Sequence, residues 1–249
     1  MADLIYDGDE VLYVAARSAQ EEYEFDGGVQ RLLDLEKAKD IVESRIADAM
    51  EATGCSSVTL AFSDRDNNFR RDLADYYKRH RTGEKPVGYY FLKEHLQALY
   101  VSVEYPNVEA DDVMGLLSDD FDWMASSDKD MNTIPGIHRF DPFAFSRGHR
   151  SYVHSPQSNW EADLFWLKQT LSGDSSDGYK GCKGVGPKKA DRHLDECEDF
   201  DEAWSVVVDL FNIKQDEDEA VLQARLARIL RPSEYDSLSK QPILWTPHS

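Results

Sequence analysis

One stretch, Glu109 to Asp130, restricts the folds open to this chain more than any other. It reads V-E-A-D-D-V-M-G, crosses a short apolar segment and closes S-S-D-K-D. Five of its carboxylates form two clusters: Glu109, Asp111 and Asp112, then Asp128 and Asp130. The first opens a helix, because Val113, Met114, Leu116 and Leu117 follow at helical spacing and acids are favoured in a first turn. Glu109 and Asp112, three apart, share a face of that helix. The second cluster follows Phe121, Trp123 and Met124 and precedes Pro135-Gly136, which marks the end of a strand. In an open α/β sheet the ligand crevice lies where strands end. Acids crowded there raise one another's pKa unless positive charge stands between them. With no His or Cys nearby, a hard divalent cation such as Mg²⁺ or Mn²⁺ suits the donors better than zinc. Acids at a helix start also complement the helix dipole, and for 109–112 taken alone that reading stays open.

The rest of the chain repeats the pattern. Leu4, Ile5 and Tyr6 form a strand ending on Asp7-Gly8-Asp9, where Asp7 is either a site carboxylate or the cap of a helix over 10–19. Residues 29–52 carry helical periodicity and stop at Gly54. Val58–Phe62 is a second buried strand ending on Ser63-Asp64. Phe91–Leu99 is helical, Val101–Tyr105 is a strand, and a 109–119 helix with a 121–127 strand completes a βαβ alternation. The fold class is therefore α/β, with a doubly wound, mostly parallel sheet over residues 1–158. From Trp160 the pattern turns helical, and residues 159–249 form a C-terminal region. It contains S-G-D-S-S-D-G-Y-K-G-C-K-G-V-G-P-K-K-A, with a third acidic pair, Asp174 and Asp177. Gly181, Gly184 and Gly186 lead into Pro187, a residue suited to a first helical turn, so backbone N–H groups are open to a phosphate backbone.

At 249 residues the chain can bury a substantial core, and no apolar run reaches the length of a membrane helix. The start M-A-D-L-I-Y-D lacks a signal-peptide core, and Cys55, Cys182 and Cys197 have no disulfide-framework spacing. Both point to a reducing, cytoplasmic setting. Cys182, His193 and Cys197 as zinc ligands would lack a fourth partner. The formal charge of −20 opposes simple nucleic-acid binding. Its distribution answers that objection. Residues 65–93 hold Arg65, Arg70, Arg71, Lys78, Arg79, Arg81, Lys85 and Lys93 against four acids, with Tyr76, Tyr77, Tyr89 and Tyr90 interleaved. Aromatics among basic residues suit nucleic acid, by stacking and phosphate pairing. They equally suit an amphipathic surface helix whose tyrosines pack inward. Lys180, Lys183, Lys188, Lys189 and Arg192 form a second basic patch.

Taken together, D-G-D at 7–9, the Y-K pair at 77–78, K-P-V-G-Y at 85–89, E-A-D-D-V-M-G at 109–115, S-D-K-D at 127–130 and G-D-S-S-D-G-Y at 173–179 resemble the 5′-nuclease superfamily. That group includes flap endonucleases and the 5′ domain of bacterial DNA polymerase I. Within it, the 5′→3′ exonucleases of short-tailed phages of the T-seven type are most similar, over essentially the whole chain. The resemblance implies a PIN-like core with a C-terminal helix–three-turn–helix. Asp7, Asp64, Glu109, Asp111 and Asp112 would gather around one metal, Asp174 and Asp177 would hold a second, and Asp128 and Asp130 would lie between. The metals would be two Mg²⁺ ions, replaceable by Mn²⁺. Lys78, with Arg70 or Arg71, would approach the scissile phosphate. Tyr77, Arg79, Arg81 and Lys85 would meet DNA near the cut. Lys183, Gly184, Gly186, Lys188 and Lys189 would grip the duplex, with K⁺ on backbone carbonyls. The implied activity is exonucleolytic hydrolysis from 5′ ends of duplex DNA, extending to RNA in RNA–DNA hybrids, in the host cytoplasm and beside an unidentified replisome partner.

Three rival readings remain. A structure-specific flap endonuclease shares every catalytic residue, but 64–81 is shorter than a threading arch. An acidic DNA mimic would spread its carboxylates along one face, whereas here they recur at strand ends. An RNA-cleaving nuclease of the related small acidic-site fold usually lacks the glycine–lysine turn.

Overall fold

The computed structural model describes residues 2–247. Strand β1 (Asp3–Asp7) is the centre of a six-stranded sheet, and Leu4, Ile5 and Tyr6 are fully buried. Continuous apolar residues are what a parallel strand covered on both faces requires. On one side β1 pairs in parallel with β4 (Ser57–Phe62), and β4 with β5 (Val101–Glu104). On the other it pairs in parallel with β6 (Trp123–Ala125), and β6 with β7 (His138–Phe140). The edge strand β8 (Val153–His154) runs antiparallel to β7. The chain winds outward in both directions from β1, so the crevice opens over the ends of β1 and β6.

Helices α1 (Gly8–Ser18), α2 (Leu35–Thr53), α3 (Phe69–Leu73), α4 (Tyr89–Leu99), α5 (Ala110–Leu116) and α6 (Pro142–Ser146) complete this half. The expected single helix over 29–52 is split. Residues 20–33 form an antiparallel hairpin of β2 (Gln20–Phe25) and β3 (Gly28–Leu33), and α2 starts only after Asp34, whose carboxylate accepts from Lys37 N at 3.1 Å. The turn Asp26-Gly27 and the alternation E-Y-E-F carry the strand signal there. Leu32, Leu33 and Leu35 mimic a helical stripe. The expected 109–119 helix also ends early: α5 stops at Leu116, a short 3₁₀ turn covers Ser118–Asp120, and β6 has only three residues. The basic stretch 65–93 is not one amphipathic helix, because turns and extended chain fill the gap from α3 to α4.

Helices α7 (Asn159–Ser172), α8 (Pro187–Leu194), α9 (Phe200–Asn212) and α10 (Glu217–Ala227) pack around Trp166, Leu167, Val207 and Phe211. Trp166 donates its indole N–H to Ala224 O at 2.8 Å, so burial leaves no orphan donor. After α10 the chain returns to the sheet. Ile229 and Leu230 join Val113, Met114 and Met124 in a shared core. The crossing demands Gly115, since a Cβ there would stand 2.1 Å from Leu230 O. A last hairpin, β9 (Tyr235–Asp236) with β10 (Gln241–Pro242), lies beyond. Among the described residues no helix is long and apolar enough to cross a membrane.

Candidate functional site

Asp7 ends β1 and caps α1, accepting from Glu10 N at 2.9 Å. Of the two roles weighed for it, the cap is the one seen here. Gly8 lets α1 begin against β4, because a Cβ there would be 2.5 Å from the Phe62 ring. Past the end of β6, the loop 126–130 is tied to α1 by Glu10, whose carboxylate accepts from Ser127 N at 2.8 Å and Ser127 Oγ at 2.7 Å. Arg139 donates to Ser126 O at 3.2 Å, and Asp130 N to Asp128 Oδ1 at 2.8 Å. The loop is thus held from below and within. Asp111, from the first turn of α5, faces the same crevice as Asp7 and Asp128. Burial pushes the Asp7 and Asp111 carboxyls well above the usual range. Neighbouring acids add to the rise, Glu10, Asp9 and Asp128 acting on Asp7, and Asp7 and Asp128 on Asp111.

Two lysines meet part of this demand for positive charge. Lys78 Nζ lies 2.5 Å from Glu109 Oε1 and 3.6 Å from Asp177 Oδ2. Its backbone is in the left-handed region, φ 51°, and its amide donates to Asp177 O at 2.7 Å. A strained non-glycine residue persists only where its surroundings enforce it. Burial opposes the charged form of Glu109, but Lys78 and Arg70 overcome this and hold its carboxyl down at about 2. Lys129 Nζ lies 2.9 Å from Asp174 Oδ2 and 3.9 Å from Asp130 Oδ1. Burial, then repulsion from Asp128, pushes Asp130 up to about 6, although Gln169 Nε2 donates to it at 2.5 Å. Asp174 sits at about 2, because bonds from Ser176 and Lys129 outweigh its burial.

Among the described residues, no three of these side chains converge as ligands of one ion would. The lysine ammoniums stand among them instead. The donor chemistry still fits a hard divalent cation: the donors are all oxygens, and Asp7, Asp111 and Asp130 are left short of positive charge.

Four expected site residues take other roles. Asp112 is fully buried, and Arg70, 3% exposed, grips it with both guanidinium ends, at 2.6 and 2.8 Å. Asp112 also accepts from Glu109 N and Leu230 N, each at 3.1 Å, and Arg70 donates to Leu226 O and Arg228 O. The pair welds α3, α5 and the segment after α10, so Asp112 is not available to a metal and Arg70 is not available to a phosphate. Asp64 is committed to the turn it begins. Although burial raises it, amide donors from Asn107, Asp66 and Asn67 hold its carboxyl below the usual range. Tyr77 is buried, its hydroxyl 3.0 Å from Glu109 and 2.8 Å from Asp177, so it offers no face for stacking a base.

The remaining basic residues face outward. A cleft of about 530 Å³ between α3 and α4 is lined by Asp9, Asp64, Arg71, Lys78, Arg81 and Lys85, among others. Arg81 bonds Asp177 at 2.7 Å, and Lys85 lies over the Tyr89 ring at 4.4 Å. Arg79, exposed, reaches Asp75 at 3.5 Å. Lys183, Gly184, Lys188 and Lys189 are exposed on the turn into α8, whose cap is Gly186, and Lys189 Nζ donates to Gly184 O at 2.7 Å. Sequence reasoning passed over Glu10, Lys129 and Gln169. Lys129 had a signal, being the cation between two acids in S-D-K-D.

No known family profile matches the chain. Two curated relatives do, over nearly their whole length. The exodeoxyribonuclease of Enterobacteria phage T3 is 28% identical, the match covering 99% of this chain and 93% of the relative. The exonuclease of Escherichia phage T7 is also 28% identical, with 98% and 93% covered. Among solved structures, the T5 5′-exonuclease, described with zinc bound, superposes with a TM-score of 0.61 at 15% identity, over 91% of this chain and 89% of that one. The catalytic core of Rad2 in complex with DNA substrate gives 0.53 at 14% identity, over 98% and 83%.

Proposed function

We propose that this chain, which belongs to the 5′-nuclease superfamily, is a divalent-metal-dependent 5′→3′ exodeoxyribonuclease that releases 5′-phosphorylated nucleotides from duplex DNA. The observation that carries the reading is the crowding of Asp7, Asp111 and Asp128 at the ends of β1 and β6, where burial and mutual repulsion leave Asp7 and Asp111 short of positive charge. Asp7, Glu109 and Asp111 would hold one Mg²⁺ or Mn²⁺, Asp130, Asp174 and Asp177 a second, with Asp128 between them. When bound, such ions supply a hydroxide nucleophile at neutral pH and charge stabilisation for the leaving 3′ oxygen.

The chain's own part is to place the phosphodiester and balance its charge. Lys78, beside Glu109 and Asp177, would offset charge developing on the phosphoryl oxygens. Arg71, Arg81 and Lys85 on the cleft wall would hold the phosphates next to it. The turn Gly181–Lys189 would grip the duplex through backbone amides and the lysines around them. Residues 1–158 would then be the catalytic core and 159–249 the duplex-holding part. RNA in RNA–DNA hybrids is within the same chemistry. A 5′ flap endonuclease is the second reading. The turns and extended chain between α3 and α4, in place of a helical arch, favour the exonuclease.

The test is digestion of a linear duplex labelled at its 5′ or its 3′ end, in Mg²⁺ and then in EDTA. Early release of 5′ label as mononucleotide, in Mg²⁺ only, is expected. An intact duplex beside a cleaved 5′-flap substrate would select the second reading, and cleavage of neither would overturn both.

A further inference from the structure

The chain carries 48 acidic residues, yet there is no Asp or Glu between Asp141 and Glu161. That interval holds Arg147, His149, Arg150 and His154. Arg147 and Arg150 are exposed, and among the described residues neither has an acidic partner. Arg17 and Arg31, also exposed, meet Glu22, Arg79 meets Asp75 and Arg81 meets Asp177. Arg71 on the cleft wall and Arg192 on α8, also exposed, share the lack of an acidic partner among the described residues. Unpaired positive charge on so acidic a protein marks a face built for an anionic partner.

The patch lies beside the carboxylate crevice. Helix α6 follows β7, whose end lies beside that of β6, and Phe143 N donates to Ser127 Oγ at 3.0 Å, next to Asp128. The loop is not loose. Arg147 N bonds Phe143 O, Gly148 N bonds Phe145 O at 2.9 Å and His149 N bonds Ala144 O at 3.0 Å. Arg147 lies 4.0 Å over the ring of half-exposed Phe143, which holds its guanidinium above the surface. The cleft with Lys78 and Lys85 flanks the carboxylates on the β4–β5 side, and this patch flanks them on the β7–β8 side.

We propose that Arg147 and Arg150 form a second phosphate track, holding the DNA backbone where it leaves the carboxylate crevice over β7. The inference rests on the nuclease reading and adds to it the path of the nucleic acid. A backbone crossing the crevice needs positive charge on both banks, since the acids between would otherwise repel it. Phosphate contacts of this kind set register and carry no sequence preference.

The experiment measures binding of a short fluorescent duplex by anisotropy, in Ca²⁺, over a series of salt concentrations. The R147Q/R150Q variant should keep the thermal midpoint of the unaltered protein. Its plot of log Kd against log salt should be shallower by about 1 to 2, since each lost phosphate contact removes about 0.9 from the slope. R147K/R150K, which restores charge without the planar stack on Phe143, should recover the slope. An unchanged slope in R147Q/R150Q overturns the track while leaving the nuclease reading intact. Failure of the unaltered protein to bind or cleave duplex overturns both.

Discussion

Lys78 and Lys129 each stand among acids drawn from different elements, but their surroundings differ sharply. The Lys78 side chain is 11% exposed and that of Lys129 65%. Lys78 is locked at a left-handed backbone position and bonded through its own amide to Asp177 O. Lys129 begins a 3₁₀ turn, its side chain lying along the surface. A buried cation cannot be withdrawn from its acid without leaving an uncompensated charge, whereas an exposed pair is worth at most about 1 kcal/mol. Lys78 is therefore a permanent counter-charge of the site, and Lys129 a replaceable one. The Arg70–Asp112 pair extends the permanent side of the comparison, since both members are buried and Arg70 also stands 3.4 Å from Glu109.

The largest effect should come from breaking that pair. Asp112→Ala leaves Arg70 buried without its partner, and unfolding in urea should show a loss of about 3–5 kcal/mol. Metal binding by the folded fraction should not change. A variant of full stability that binds less metal would return Asp112 to the ligand set. Next comes Lys78→Met, which keeps the stem and removes the charge. The cleavage rate should fall about 10²–10³-fold, the cost of losing one preorganised charge partner of the reacting group, with duplex binding little altered. A rate within a few-fold of the unaltered protein would confine Lys78 to a structural role.

The same contrast explains how much could be read from the sequence. Strand ends were legible because buried parallel strands are short apolar runs: Asp7 ends one, and Asp128 and Asp130 lie in the loop and turn that follow another. The glycine turn into α8 was legible because Pro187 suits only a helix start. Asp111 and Asp112 were not separable. Neighbours on a helix point about 100° apart, and which of them meets the crevice is decided by where the chain after α10 packs. Arg70 was taken for a phosphate contact because its partners, Asp112 and the carbonyls of Leu226 and Arg228, lie far away in sequence. Asp64 follows a strand as the other site acids do, yet the Asn107 amide claims it from another loop. The 20–33 hairpin was missed because its leucines happen to fall at helical spacing. Gln169 reaches Asp130 only because α7 packs on the turn that follows loop 126–130.

The smallest effect isolates the replaceable lysine. Without Lys129, Asp130 and Asp174 lose the ammonium that now partly neutralises them, and an incoming divalent cation no longer has to displace it. Lys129→Ala should therefore bind Mn²⁺ more tightly at the Asp130–Asp174 side, by about two- to fivefold, the range set by an exposed ion pair. Free Mn²⁺ measured by electron paramagnetic resonance, without DNA, gives the affinity independently of cleavage. In EDTA the same variant should melt slightly earlier, because the two carboxylates then face each other unscreened. Lys78→Met offers the counterpart: the permanent counter-charge lies against Glu109, and its loss should destabilise the metal-free fold more than Lys129→Ala does. If Lys129→Ala instead weakens Mn²⁺ binding, its ammonium orients the carboxylates for the ion and does not compete with it, and the two lysines are then alike in kind.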